Sequence, residues 1–169
     1  MHTPKAHKKQ LASSSESNQR VYDFLKSHPV GVLAMVDPNG NPHATVIYFS
    51  IEEDFSISFT TKRDTKKHDN LQHNNHVMLV AYEAETQTTT QVIGTAEDIT
   101  DAQQAQETFT NTQIAASETS EEAGEPPISK LYAGEYVAYS LKPAQIRMAV
   151  FARPDSGGYD MYETIDFAS

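Results

Sequence analysis

Two apolar, β-branched segments separated by a turn constrain the fold of this chain most strongly. The first is Val30–Val36, the second covers residues 43–51, and Asp37-Pro38-Asn39-Gly40-Asn41-Pro42 lies between them. Prolines and an Asn-Gly pair between apolar runs are typical of a β-hairpin. Residues 55–61 then alternate apolar and small polar side chains, the period of a strand with one buried face. Consecutive strands of this kind predict an antiparallel sheet rather than alternating strands and helices.

The rest of the chain predicts further strands with a few helices at the margins. An amphipathic helix over residues 21–28 ends before Pro29, because the residue before a proline is disfavoured in a helix. The next predicted elements are a helix from Asp64 or Thr65 to Leu71, a strand 77–82, and a strand 86–99 bent or bulged at Gly94. They are followed by a helix 101–116 capped by Thr100 or Asp101, a mobile acidic loop 117–127 and a helical turn 128–132. The last predicted strands are 135–141, 145–151 and, more weakly, 159–167. This pattern predicts a mainly β, α+β domain built as a six- to seven-stranded antiparallel barrel.

Length and composition exclude several classes of protein. The chain has 169 residues, enough for one domain with its own core, and no cysteine, so disulfides, cysteine-bound metals and a thiol nucleophile are excluded. Residues 1–15 are polar and are predicted to form a disordered tail, and residues 16–169 a single domain. No apolar run approaches the ~18 residues of a membrane span, and the first ten residues lack the apolar core of a secretory signal. We therefore expect a soluble cytoplasmic protein.

Positive charge is concentrated at one place in an acidic chain. There are 13 Lys and Arg against 23 Asp and Glu, and no Lys or Arg occurs between residues 68 and 129. Just before this stretch come Lys62, Arg63, Lys66 and Lys67. Such a tight cluster suits one small phosphate better than a polyanion, so no nucleic-acid partner is expected. The alternative is that these residues are simply the solvated, basic start of a helix.

Four segments together carry a family resemblance that none carries alone. They are residues 33–35 with 37–46, residues 57–61, residues 66–71 continuing to 75–77, and residues 92–96. In order and spacing they resemble the pyridoxamine 5′-phosphate oxidase-like, FMN-binding split β-barrel proteins, with a looser match over residues 141–147. The resemblance implies a split antiparallel barrel, usually a homodimer, with FMN in two equivalent clefts between the protomers.

The resemblance also implies which residues contact the flavin. One strand segment would lie along the isoalloxazine ring with its backbone, a second would place backbone and hydroxyl groups beside it, and a glutamine would lie near the flavin. In this chain the corresponding residues are Thr45, Val46 and Ile47; Phe59, Thr60 and Thr61; and Gln91, with Thr90 beside it. Many members have an arginine at the position of Thr45, so this chain lacks one charge there.

The FMN phosphate would be held where the positive charge is concentrated. Thr65, Lys66 and Lys67 match a Ser/Thr-Arg-Lys motif that grips the phosphate in the family. The physical chemistry agrees, because a phosphate needs cations and converging donors. A helix that starts here adds free backbone N–H groups and the positive end of its dipole.

The function predicted from these observations is an FMN-dependent oxidoreductase acting on an unknown small molecule. The chain has no tryptophan, and no arginine follows Arg153. True pyridoxamine 5′-phosphate oxidases close with a segment containing both, so we expect a member related to the general-stress flavin-binding proteins instead. The alternatives are a protein that binds or sequesters flavin without turnover, a reductase that uses the deazaflavin F420, and a haem protein with His43 or His76 as ligand.

Two further groups of side chains are weaker candidates. His68, His73 and His76 do not share one helical face at their spacing, so no metal site is predicted. Tyrosines at positions 132, 136 and 139 could line a substrate cleft, but such residues more often pack in a sheet with a hydrated hydroxyl.

Overall fold

Three helices and eight strands form the described part of the chain, which is residues 14–119, 132, 134–151 and 162–168 of a computed structural model. The helices are α1 (Ser14–Ser27), α2 (Lys66–His73) and α3 (Ala102–Glu118). The strands are β1 (Val30–Val36), β2 (Pro42–Tyr48), β3 (Ser50–Ile51), β4 (Ile57–Lys62), β5 (His76–Glu83), β6 (Thr88–Asp98), β7 (Tyr136–Val150) and β8 (Tyr162–Asp166). Within these ranges, no helix has the length and apolar character needed to cross a membrane.

All eight strands belong to one antiparallel sheet. Seven of them follow the order β2-β1-β5-β6-β7-β4-β3, and β8 pairs with β7 outside this order. The long strand β7 joins the two parts of the sheet. On one side it pairs with β4 through its first half and with β8 through its second half, and on the other side it pairs with β6. The sheet curls so that β2 comes back beside β4. The prediction of a mainly β, antiparallel barrel is confirmed, as a half-barrel that stays open between these two strands.

Gly94 permits the close approach of β6 and β7. The register between the two strands shifts between Ile93 and Gly94. A Cβ atom at Gly94 would lie 2.0 Å from the carbonyl oxygen of Lys142, so only glycine fits without moving the backbone. The predicted bulge at Gly94 is confirmed.

One apolar core fills the concave side of the sheet. Val21 and Leu25 of α1 join it, and both are fully buried. The strands contribute further fully buried side chains: Leu33, Phe49, Ile57, Phe59, Leu79, Val92, Tyr139, Leu141 and Ile146. The amphipathic pattern predicted for the first helix therefore faces the core, as expected.

The convex side of the sheet is covered at one end only. Over β4 and the first half of β7, α3 packs Phe109 against Tyr136 with ring centroids 4.3 Å apart. Tyr136 also donates a hydrogen bond to Gln106 of this helix. The same helix also reaches β2 and β3, but within the described residues it makes no comparable contact with β1, β5 or β6. Val46, Val32 and Tyr82 are 59%, 41% and 61% exposed.

Several predicted boundaries differ from the structure. Segments 135–141 and 145–151 form one strand, β7, because Pro143 pairs opposite Gly94 at the bulge, where a missing N–H is tolerated. Segment 43–51 divides into β2 and β3 at Phe49. Phe55 adopts a positive φ of 68° and lies outside β4.

Other predicted segments extend beyond the described residues. Within the predicted tail, only residues 14 and 15 are described, and they begin α1. In the predicted acidic loop, residues 117 and 118 end α3, and residues 120–127 lie outside the described part. The predicted helical turn 128–132 also lies outside it, apart from Tyr132.

Candidate functional site

The first wall of the candidate site is the edge of β2 that faces away from β1. At one end of the β1–β2 ladder, the backbone N–H of Phe49 donates a hydrogen bond to the carbonyl of Pro29, which lies directly opposite. At the other end, the backbone N–H of Asp37 donates a hydrogen bond to the carbonyl of Asn41. Because hydrogen-bonded pairs alternate in an antiparallel ladder, the backbone groups of Thr45 and Ile47 point toward β1. Those of Ala44, Val46 and Tyr48 point away from it.

The second wall is the edge of β4 that faces away from β7. Arg63 donates to the carbonyl of Glu135, opposite it in the β4–β7 register. By the same alternation, Thr61 and Phe59 bond to β7, whereas the backbone groups of Thr60 and Lys62 point away from it. No pairing joins β2 to β4 among the described strands, although they lie side by side. Along the β4 edge, β3 pairs with Ile57 and Ser58 only. We call the space between the outer edge of β2 and the unpaired part of β4, residues 60–62, the split.

The start of α2 lies at the end of the β4 edge of the split. Thr65 caps the helix, because its hydroxyl oxygen accepts the backbone N–H of His68 at 3.3 Å. The same hydroxyl donates to the carbonyl of Lys62 at 2.8 Å, and Thr61 lies 3.2 Å away, oxygen to oxygen. The first backbone N–H to donate within the helix is that of Asp69, to the Thr65 carbonyl, so the N–H groups of Lys66 and Lys67 remain available. The predicted cap at Thr65 is confirmed. Free N–H groups at the start of a helix favour an anion, so phosphate binding at this turn stays a prediction.

Lys67 is a half-buried cation in this turn. No carboxylate within the described residues pairs with it, whereas the neighbouring Lys62 lies 3.4 Å from Asp64. Burial lowers the pKa of Lys67 to about 8. A bound anion would supply the missing countercharge and reverse that shift. Lys66, by contrast, is exposed to solvent.

The three residues of β2 that were predicted to contact the flavin ring lie in three different environments. On β2, Thr45 is half-buried, Val46 is exposed on the convex side, and Ile47 is buried in the core. The backbone of Val46, flanked by Ala44 and Tyr48, is therefore the part of this segment that faces the split. Its carbonyl accepts a hydrogen bond of 3.4 Å from the Thr45 hydroxyl.

The predicted contacts on β4 are all buried. Phe59 stacks on Tyr139 in the core, with centroids 5.4 Å apart, and Thr61 lies on the same side. Thr60 faces the opposite side, toward α3, and its hydroxyl has no hydrogen-bond partner among the described residues. At this strand the groups open to the split are thus the backbone of Thr60 and the N–H of Lys62, since the Lys62 carbonyl accepts the Thr65 hydroxyl.

Gln91 is not brought together with the other predicted residues within one chain. It lies on the convex side of β6, opposite Val80 of β5 and Arg147 of β7. In the sheet order, β1 and β5 separate β6 from β2. Thr90, next to Gln91, points to the core and is fully buried.

The side-chain contacts beneath the α2 turn were not predicted, although Tyr139 was considered as a cleft residue and His68 as a metal ligand. The Tyr139 hydroxyl lies 2.7 Å from Nδ1 of His68 and accepts a hydrogen bond from Gln72 at 3.1 Å. Gln72 also donates to Asp98 at 2.8 Å. These partners are 26 to 71 positions apart in the chain, so no local pattern could have shown their contact. The histidines considered as metal ligands do not converge, and the described residues contain no cluster of three potential ligands.

Comparison with known proteins places the chain in a family. The family model described as pyridoxamine 5′-phosphate oxidase matches residues 17–149. A search of curated proteins finds no match to the chain.

Solved structures share the fold at low sequence identity. The putative pyridoxamine 5′-phosphate oxidase of Listeria innocua is 20% identical, with a TM-score of 0.60 over 80% of this chain and 98% of the other. The pyridoxamine 5′-phosphate oxidase-related, FMN-binding protein of Nostoc punctiforme is 16% identical, with a TM-score of 0.55 over 95% of this chain and 100% of the other. A heme-binding protein of Mycobacterium smegmatis is 18% identical, with a TM-score of 0.63 over 92% of this chain and 58% of the other.

Proposed function

Because the chain belongs to the pyridoxamine 5′-phosphate oxidase family, we propose that it binds FMN at the split and acts as an FMN-dependent oxidoreductase on a small molecule. One observation carries the proposal more than any other. The α2 turn, which Thr65 caps, offers two free backbone N–H groups and the half-buried Lys67 without a carboxylate partner in the described residues. These N–H donors and this charge are what a phosphate dianion requires.

The isoalloxazine ring would lie along the split itself. Its pyrimidine edge carries donors and acceptors, and the backbone groups of Val46 and Thr60 line the two sides of this space. Four neighbouring residues would then hold these two strand edges in place, through side-chain packing and through backbone hydrogen bonds to β1 and β7: Thr45, Ile47, Phe59 and Thr61. When bound, FMN supplies hydride or electron transfer, and the protein supplies orientation and shielding.

The uncovered convex face supports a homodimer. Val46, Val32 and Val80 lie opposite one another across β2, β1 and β5, and the row continues to Gln91 and Arg147. A two-fold axis parallel to the strands and between β1 and β5 would place β6 of one protomer over β2 of its partner. That arrangement would bring Gln91 to the split of the other protomer, as the family resemblance requires.

F420 fits this surface less well than FMN. Its acidic tail would need a long basic groove beyond the α2 turn. The two cations that could extend the turn are already engaged, since Lys62 faces Asp64 and Arg63 donates to the carbonyl of Gly134 at 3.2 Å.

Haem is the other alternative cofactor, raised by the Mycobacterium smegmatis neighbour. The candidate axial ligands are His43, which is half-buried near the start of β2, and His76, which is exposed at the start of β5. Neither belongs to the α2 turn, so FMN remains our proposal.

An absorbance spectrum tests the cofactor directly. The purified protein is scanned as isolated, then after addition of FMN and gel filtration. We expect flavin bands that elute with the protein at the size of a dimer. A strong Soret band would support haem instead, and a protein that remains colourless after FMN addition would contradict the proposal. Reduction of the bound flavin by a supplied donor, followed by reoxidation with candidate substrates, separates an oxidoreductase from a non-catalytic flavin-binding protein.

A further inference from the structure

A chain of side-chain hydrogen bonds fastens α2 to the sheet below it. Gln72 Nε2 lies 2.8 Å from Asp98 Oδ1 and 3.1 Å from Tyr139 Oη. Tyr139 Oη in turn lies 2.7 Å from His68 Nδ1. His68 and Gln72 are one turn apart on α2, whereas Tyr139 belongs to β7 and Asp98 to β6. We call these four side chains the clasp.

The chemistry of the groups fixes the direction of the hydrogen bonds that Gln72 makes. The Asp98 carboxylate only accepts, so Gln72 must present its amide N–H groups to Asp98 and to Tyr139. The tyrosine oxygen therefore accepts from Gln72, and one further proton joins it to Nδ1 of His68. The histidine tautomer decides which of these two atoms carries that proton, and the contact forms in either case. Burial raises the pKa of Tyr139 to about 12, so its hydroxyl is not ionised at neutral pH.

The clasp is rigid on the sheet side and reaches the anion-binding turn on the helix side. The Tyr139 side chain is fully buried, and its ring is stacked on Phe59 at an interplanar angle of 14°. His68 also donates its backbone N–H to the Thr65 hydroxyl that caps α2. The position of the turn is thus tied to a fixed point in the core.

Other anchors of α2 are few. The helix has eight residues, and only Asn70 and Leu71 are buried. A helix of this length is marginal by itself and depends on tertiary contacts. We propose that Tyr139, acting through His68, is a positioning residue that holds the Thr65–Lys67 turn in the geometry that binds the FMN phosphate. This inference rests on the proposed function, because it names what aligns that site.

Flavins with and without a phosphate distinguish positioning from general stability. Tyr139→Phe removes the hydroxyl and keeps the ring stacked on Phe59. We expect the dissociation constant for FMN to rise about tenfold, the effect of losing one hydrogen bond. The dissociation constant for riboflavin, which lacks the phosphate, should change less than about twofold. An unchanged FMN affinity, or an equal loss for both flavins, would overturn the inference.

Substitutions at His68 provide an independent test if Tyr139→Phe folds poorly. Asparagine places an amide, with both an oxygen acceptor and an N–H donor, at the δ position where Nδ1 of histidine lies, so His68→Asn should retain most of the FMN affinity. His68→Leu removes the hydrogen-bonding group and should lose as much FMN affinity as Tyr139→Phe. His73→Leu is the matched control, because His73 lies at the exposed end of the same helix. Equal FMN affinities for His68→Asn and His68→Leu would contradict the clasp.

Wild-type binding separates the two possible failures. If the wild-type protein binds neither flavin, the proposed function fails, and the positioning role fails with it. If the wild-type protein binds FMN more tightly than riboflavin and the variants do not reduce this difference, the proposed function stands and the positioning role is wrong.

Discussion

The two ends of the convex sheet surface differ in how their apolar side chains are covered. Over β4 and the first half of β7, α3 buries Tyr136 and Ala138, and Phe109 of the helix is itself buried. Over β2, β1 and β5, Val32 and Val46 remain substantially exposed in the single chain. Both ends carry apolar residues on a strand face that ordinarily would be polar if it met water.

The difference indicates where the proposed dimer would form. A continuous exposed apolar patch on a folded protein marks an interaction site more often than a solvent-facing surface. The covered end is completed within one chain, whereas the uncovered end would be completed by a partner. The split lies where the two ends meet, since α3 packs on β4 and reaches β2, whereas Val46 of β2 stays exposed. A cofactor bound there would contact both.

The largest expected effect is the loss of the dimer when a charge is placed on the uncovered face. In Val32→Asp, each protomer would bury an unpaired carboxylate in the interface, which costs several kcal/mol per charge. We expect elution as a monomer in gel filtration at micromolar concentration, with an unchanged far-UV circular dichroism spectrum. Val32→Thr, which has nearly the same shape and no charge, is the control and should remain dimeric. Dimeric Val32→Asp would show that this face is not the interface.

The second prediction concerns the covered face. Phe109→Ala removes the ring that packs on Tyr136 and leaves a cavity under α3, so the free energy of unfolding should fall by about 3 kcal/mol. Urea denaturation at fixed protein concentration measures this loss. Ile114→Ala, at a half-exposed position of the same helix, should cost less than about 1 kcal/mol. Equal losses for the two variants would mean that the helix does not anchor through Phe109.

The third prediction tests the phosphate position at the start of α2, beside the split. Replacing Lys66 and Lys67 together with alanine should weaken FMN binding by about 2–4 kcal/mol, because hydrogen bonds to charged groups contribute ~1.5–3 kcal/mol each. Fluorescence titration with FMN and with riboflavin measures the change, and the riboflavin affinity should move little. Lys142→Ala, which removes an exposed lysine paired with Glu97 on the β6–β7 side, is the control. An unaltered FMN affinity in the double variant would contradict the phosphate position.

The smallest expected effect is a pH dependence of FMN affinity. Lys67 has a pKa of about 8 in the folded protein without ligand, because burial disfavours its charge. As the pH rises above 8, this cation is lost, so FMN affinity should fall about tenfold between pH 7 and pH 9. Lys67→Arg keeps the charge over this range and should remove most of the dependence. A flat profile for the wild-type protein would argue against contact between Lys67 and the phosphate.

The lowered pKa of Lys67 changes the stability of the protein without ligand in the opposite direction from the FMN affinity as the pH rises. Below pH 8 the ammonium of Lys67 is charged in both folded and unfolded chains, and its burial is unfavourable. Between pH 8 and the unfolded pKa of ~10.4, the unfolded chain holds more protons, so the contribution of Lys67 to stability rises with pH.

Much of the fold was predictable because its signals are local. The hairpin turn at Asp37–Asn41 closes with the Asp37 carboxylate accepting the backbone N–H groups of Asn39 and Asn41. Both predicted caps are present, since the Asp101 side chain accepts from Gln104 at the start of α3 as Thr65 does at α2. Each depends on residues within four positions of one another, and such patterns are visible in any single sequence.

The candidate site was predictable only in part. Thr61, Thr65 and Lys67 lie close in the chain, and the structure keeps them in one turn. The length of β7 was not predictable, because Pro143 normally ends a strand and is tolerated here only by the bulge opposite Gly94. The sequence pattern also could not assign the outward face of the barrel, so the uncovered patch emerged only from the structure.

By itself, the sequence determined the elements that short-range chemistry governs: turns, caps, the alternation of strands and the cluster of positive charge. Tertiary structure decided which backbone edges remain unpaired, which convex face is left uncovered, and that Tyr139 meets His68 beneath the α2 turn. The physical reason is that these features depend on contacts between residues far apart in the chain. Their position is set by how the whole sheet curls, and no local pattern of side chains encodes that curvature.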